Sequence, residues 1–196
     1  MTDRKITFQL EVLKRHDAHI TSANTKSGMI LSFGAAALGV LIALMPNFWS
    51  LNNGLWYKST LVIIALTIFI GLLSAIICSF LALFPNTTPG SRNSLISFVH
   101  TSSFDGGAEA YFQAVKSSTD DESLKDLCYQ SHTLSVIAAG KFSNIKNAVN
   151  AVKVSFLSTL ALVVCLIIGS AVEINLKEKT SEVQQPNTKN QVSQNG

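Results

Sequence analysis

Apolar and polar positions are sharply segregated along this chain. No charged side chain occurs between Lys26 and Lys58, between Lys58 and Arg92, or between Lys153 and Glu173. Each gap holds an apolar run long enough to cross a bilayer, because a ~30 Å hydrocarbon core needs roughly 20 helical residues. The pattern predicts spans at residues 29–48, 59–84 and 154–172. Three such runs leave too little polar chain to wrap them as buried helices of a water-soluble core.

Between and around the spans the periodicity changes. In the first segment, residues 1–28, Ile6, Leu10, Leu13 and Ile20 recur at helical intervals opposite Lys14, Arg15, Asp17 and Lys26, which predicts an amphipathic helix running into the first span. Residues 49–58 form a short loop, with Trp49, Trp56 and Tyr57 around an Asn52-Asn53-Gly54 turn, and the aromatic rings are expected at the lipid headgroups. In residues 85–153, Thr119 followed by Glu122 is a capping signal, and Asp120 and Asp121 favour the positive end of a helix dipole. Leu124, Leu127, Ser131, Leu134, Ala138, Phe142, Ile145, Val149 and Val152 then follow a period near 3.5 residues, and no proline intervenes before the third span. One helix of about fifty residues, roughly 80 Å long, is expected to enter the membrane there. The tail, 173–196, is Gln-, Asn-, Ser-, Thr- and Lys-rich from Lys177 onward, a composition that cannot bury enough apolar surface to fold. The expected fold class is an all-α membrane protein with three transmembrane helices. A small helical cytoplasmic segment lies between the second and third, and a long helix is continuous with the third.

Composition agrees: 47% of residues are apolar and 14% charged, and the mean hydropathy is +0.33. Lys and Arg number five before the first span, one in the loop after it, six from Arg92 to Lys153 and three in the tail. The positive-inside rule therefore favours a cytoplasmic N-terminus and cytoplasmic 85–153 segment, with the loop and tail on the far side. A charged stretch before the first run, and further spans after it, argue against a cleaved signal peptide.

The segment between spans two and three is small for an enzyme domain, and no catalytic, metal or cofactor constellation is expected in the chain. His16 and His19 share one helical turn without a carboxylate or cysteine at ligand spacing, so they read as a solvated face. His100 and His132 have no nucleophile with a local signature, and Asp120, Asp121 and Glu122 are explained by helix capping. Cys128 reads as a packed residue, and its spacing to Cys78 and Cys165 suits neither a metal nor a disulfide framework. Asp105, Gly106 and Gly107 read as a turn, a phosphate-cradling nest being the rarer alternative. The spans carry no ionisable acid or base of the kind a proton relay needs. They carry small residues four apart instead: Ala35 with Gly39; Gly71 with Ala75 and Ser79; Ala161 with Cys165 and Gly169. Such stripes let helices approach closely, within one chain or between chains. Three spans alone make a poor pore, so channel-like activity would require a homo-oligomer.

From about Leu13 to Ala171 the order of features resembles the Pycsar effector family, bacterial antiphage membrane proteins that respond to a cyclic pyrimidine mononucleotide. The resemblance is carried by Ile20-Thr21-Ser22-Ala23-Asn24-Thr25-Lys26-Ser27, by Ser94-Leu95-Ile96-Ser97-Phe98 through Tyr111-Phe112, and by the stretch from Ser131 to the Lys141-Phe142 pair. Asn24 stands where family members often carry an acidic residue ahead of a lysine and a small residue. The resemblance implies a non-enzymatic defence effector of the bacterial inner membrane. It would sense cCMP or cUMP through its cytoplasmic segment and impair membrane integrity, aborting infection. Its partners would be that nucleotide, the bilayer and copies of itself, with no nucleic-acid polymer. The other classes are an accessory subunit that docks a partner on its long helix, and a ligand-independent, holin-like pore.

A cyclic nucleotide needs a cationic or amide-lined site for its phosphate and a ring on which its base can stack. Arg92, Lys116, Lys125, Lys141 and Lys146 are the candidate cations, and Phe98, Phe104 and Tyr111 the candidate platforms. Arg92 and Lys141 rank first because they fall in or beside the family-like stretches. Basic residues near a membrane also attend anionic lipids, the alternative for each of them.

Overall fold

The computed structural model describes residues 2–50, 54–84 and 94–184. Every regular element among the described residues is helical: α1 (Thr2–Ser50), α2 (Leu55–Leu83), α3 (Phe98–Ser102), α4 (Gly107–Ser117) and α5 (Asp120–Gln184). Arg92, and Asn52 and Asn53 of the expected turn, lie outside the described residues. α1, α2 and α5 each contain a stretch long and apolar enough to cross a membrane. The amphipathic N-terminal segment and the first span are one helix of 49 residues, with Pro46 near its end. α5 is longer than expected, 65 residues, and runs past Lys177. Glu173, Lys177, Glu178 and Lys179 are good helix formers, and Lys177 Nζ pairs with Glu173 at 2.9 Å across one turn.

The chain divides into two compact units. The first holds α1 to Phe33 and the chain from Ala75 to Asn150; the second holds Gly34–Ser74 and the chain from Ala151 on.

In the second unit Leu41, Leu61, Ile68, Leu72 and Leu162 form the core, with Ala37, Leu38, Ile64, Phe69 and Leu166 packed against it. Polar groups act as helix-to-helix ties. Ser155 Oγ donates to the Ala151 carbonyl at 3.0 Å and lies 3.4 Å from the Ile68 carbonyl. Tyr57 Oη donates to the Cys165 carbonyl at 2.9 Å. Tyr57 is therefore turned onto α5. Two glycines admit these ties: a Cβ on Gly71 would overlap Ser155 Oγ, and one on Gly169 would overlap the Tyr57 ring. The outer surface is apolar too, since Ile63, Leu66, Ile70, Leu157, Val164 and Ile167 are all exposed. A unit apolar inside and out is at rest only in hydrocarbon, where exposed side chains face lipid. Of the small-residue stripes, Gly71, Ala75, Ser79 and Gly169 are buried within the chain, whereas Ala35, Gly39 and Ala161 face outward.

In the first unit the helices meet along seams of alternating three- and four-residue spacing, the signature of knobs-into-holes packing. On α5 the buried positions are Leu127, Ser131, Ala138, Lys141, Ile145 and Ala148; on α1 they are Ala23 and Ser27, and on α2 Ala75, Ser79 and Ala82. Most are small, which brings the backbones close. The phase corrects the sequence-based stripe: Lys141 and Ala148 occupy the seam, while Phe142 and Val149 stand on its shoulder at 37% and 36% exposure. Apolarity picks the larger side chain, but close packing selects the small one.

The start of α5 is the expected capping box. Glu122 Oε2 accepts from Thr119 N and Oγ1, both at 2.9 Å, and Glu122 N donates back to Thr119 Oγ1 at 3.3 Å. The backbone donor of Thr119, and then its hydroxyl, hold the Glu122 carboxyl below its ordinary 4.5. A depressed folded pKa means the box stabilises the helix start above that ordinary value and is lost as pH falls through the lowered one. Thr119→Ala is expected to fray this turn, read as faster amide exchange at Asp121 to Ser123, and to return the Glu122 titration toward 4.5.

Candidate functional site

The polar centre of the first unit is built on the end of α2. A helix leaves its last four carbonyls without intrahelical donors and carries partial negative charge there. Lys141, only 7% exposed, reaches that end from α5. Its Nζ donates to the carbonyls of Ala82 at 2.5 Å and Leu83 at 3.4 Å, and to Asn24 Oδ1 of α1 at 2.8 Å. One ammonium thus ties three helices, using all three of its donors. Burial pushes the lysine below its ordinary 10.5, and no carboxylate among the described residues pairs with it. Beneath it Ala23, Ala82 and Ile145 form a small core with Ile30.

Phe142, next to Lys141, ties α1 to α5 on the outside. The His19 ring meets it edge-on at 6.3 Å, and Lys26 Nζ lies 5.8 Å from its centroid. His19 is thus a packing partner of an aromatic ring, beyond the solvated role expected of it. Cys128 is exposed and not in the core as expected, with Gln9 Nε2 3.2 Å from its Sγ.

A second polar cluster fastens α3 and α4 to α5. Asp126 Oδ2 accepts from Ser94 Oγ at 3.0 Å and Leu95 N at 2.8 Å, while Ser94 Oγ accepts from Ser97 N at 3.0 Å. Tyr111 Oη donates to the Leu95 carbonyl at 2.8 Å, and its ring meets Phe104 edge-on at 5.5 Å. The Gly106-Gly107 pair is the expected turn, with φ of 83° and 71°.

Of the two first-ranked ligand residues, Lys141 is buried in the clamp and Arg92 lies outside the described residues. Lys116, Lys125 and Lys146 are exposed. Phe98 is 73% exposed, whereas Phe104 and Tyr111 are engaged with one another. Asp126 carried no signal in the sequence. Asn24 did, as the residue standing in place of an acid, and its partner proves to be the lysine of another family-like stretch. No group of three or more metal-ligating side chains occurs among the described residues.

The helices and their clamp define a membrane protein whose spans run on into a helical unit held together around a buried ammonium. A profile of the Pycsar effector protein domain matches residues 8–169. Over 166 residues the chain is 28% identical to the Pycsar effector protein EcPycTM of Escherichia coli, a match covering 82% of this chain and 89% of that protein. No solved structure matches. The chain belongs to the Pycsar effector family, which implies an antiphage defence effector working in a membrane.

Proposed function

We propose that this protein is a non-enzymatic, gated effector of the bacterial inner membrane, with its N-terminus and residues 85–153 in the cytoplasm, where cCMP or cUMP binds. Binding turns a homo-oligomer of the spans into a membrane lesion that stops growth before phage mature. Family membership supports the defence role. The observation that carries the gating is that α1, α2 and α5 each pass without a break from the first unit into the second. A rearrangement in the first unit therefore has three covalent helical routes into the spans.

Arg92 is the proposed phosphate contact, with the exposed Phe98 ring as a stacking platform. Lys141 can reach a phosphate only by releasing Asn24 and the α2 carbonyls, so its part in binding is an exchange of acceptors. Titration of the purified full chain with cCMP, cUMP and cAMP tests this. A pyrimidine nucleotide should bind in preference to cAMP, and Arg92→Ala should weaken it about tenfold or more, the worth of a charge-assisted hydrogen bond. Unchanged binding by Arg92→Ala would remove that residue from the site. Equal affinity for cAMP would remove the pyrimidine specificity.

A further inference from the structure

Two hydroxyls of the first unit are buried without a partner. Ser27 on α1 and Ser79 on α2 are both at 0% exposure, and neither Oγ has a hydrogen-bond partner among the described residues. Other hydroxyls of the unit behave differently: those of Thr25 and Thr133 donate to the carbonyls four residues before them. Packing does not call for the two oxygens either. The nearby buried places on the same helices, Ala23, Ala75 and Ala82, are filled by alanine, which encloses nothing polar.

The pair stands beside the Lys141 clamp. α1 ends at Ser50 and α2 begins at Leu55, so the chain reverses and the two helices run antiparallel. Asn24 and Ala82 meet on Lys141 Nζ, and Ala23, Ala82 and Ile145 share one small core. Ser27 follows Asn24 by three residues and Ser79 precedes Ala82 by three. On antiparallel helices these steps go the same way, so the two hydroxyls are level with one another, one turn past the ammonium.

A hydroxyl taken from water without a new partner loses its hydrogen bonds uncompensated, which weighs against closure by about tenfold in the equilibrium for each such group. The unit is thus closed by one device and loosened by another a turn away. The ammonium ties α1, α2 and α5, while the two hydroxyls regain water whenever α1 and α2 part.

We propose that Ser27 and Ser79 form a built-in weak point of the first unit, which keeps its closed packing near opening and sets how much nucleotide is needed to release the Lys141 clamp. The proposal rests on the gated reading above and adds what the gate works against. Drawing Lys141 from its acceptors to a phosphate removes the tie beside the place where closure is least favoured, so the helices part there first.

The test is amide exchange on the full-length protein in detergent, without nucleotide, for the wild type, Ser27→Ala, Ser79→Ala and the double variant. Exchange at Asn24 to Ser27 and at Ser79 to Leu83 should slow about tenfold in each single variant and further in the double. Ser32→Ala changes an exposed serine of α1 and carries the gain in helix propensity alone, about twofold at its own turn. Slowing no greater than this reference would overturn the proposal. So would faster exchange, which would mark the hydroxyls as bonded to one another or to enclosed water. Dye uptake by cells expressing the same variants is the second readout: the double variant should need about tenfold or more cCMP or cUMP than the wild type. An unchanged requirement overturns the proposal and leaves the gated effector standing. Wild-type cells that take up no dye with either nucleotide refute the gated effector, while the exchange result still decides whether the hydroxyls loosen the unit.

Discussion

Lys141→Met should destabilise the first unit by about 2–4 kcal/mol, because it leaves buried acceptors without donors at about 1–3 kcal/mol each. Methionine keeps the aliphatic stem in the α5 seam, so the loss isolates the ammonium from its packing. The Ala82 and Leu83 carbonyls then end α2 without a partner, and Asn24 loses its donor. Amide exchange should quicken at the last turn of α2 and around Asn24, while the Tyr57 to Cys165 tie of the second unit holds. The pH dependence has a definite sign. Burial lowers the folded lysine pKa below 10.5, so between the lowered value and 10.5 the unfolded chain binds the extra proton and stability rises with pH. Lys141→Met should abolish that rise. Asn24→Asp supplies a carboxylate to an ammonium that is already desolvated, so it should raise the Lys141 pKa and stabilise the wild-type background. The same change should destabilise the Lys141→Met background, where it leaves a half-buried charge unpaired. A double-mutant cycle by denaturant unfolding in detergent should return a coupling of about 1–3 kcal/mol; additivity would show that the two side chains do not interact.

Gly169→Val should be as damaging in the spans. A Cβ at this position overlaps the Tyr57 hydroxyl and lies within 2.8 Å of the ring edge, and valine adds two methyl groups on a helix where its rotamer is fixed. The ring must leave its place, breaking the 2.9 Å bond to the Cys165 carbonyl. Overpacking of this kind costs about 1–3 kcal/mol, and loss of the bond adds about 1. Tyr57→Phe loses only the bond, and Tyr57→Ala makes room for valine. The double variant Tyr57→Ala, Gly169→Val should therefore be more stable than Gly169→Val alone, read from thermal unfolding in detergent. If Gly169→Val unfolds like the wild type, the close approach of α2 and α5 at this level is wrong.

How much of this was legible in the sequence depends on how local the cause is. The spans were, because a run without charge is itself the physical requirement of the bilayer. So was the helix start at Thr119 and Glu122, whose two partners lie one turn apart. The seam phase was only half legible: the 3.5-residue repeat from Leu127 to Ala138 is right, but after it the packing takes Lys141 and Ala148 where apolarity favours Phe142 and Val149. A lysine becomes a seam residue only when acceptors from two other helices converge on it, here 117 and 59 residues away in sequence. The Tyr57 tie was hidden for the same reason, since its acceptor is the Cys165 carbonyl 108 residues away. Asp126 is one carboxylate among the several near the start of α5, and nothing nearby marks it as the anchor of Ser94 and Leu95.

The central claim is that a cyclic pyrimidine nucleotide turns this membrane protein from tolerated to lethal. Its most direct measurement is dye uptake by cells expressing the protein, with cCMP or cUMP raised and cAMP as the control. Uptake only with a pyrimidine nucleotide is the predicted result. Uptake without any nucleotide would mark a holin-like pore, and no uptake with any of them an accessory subunit; either would contradict the gated effector.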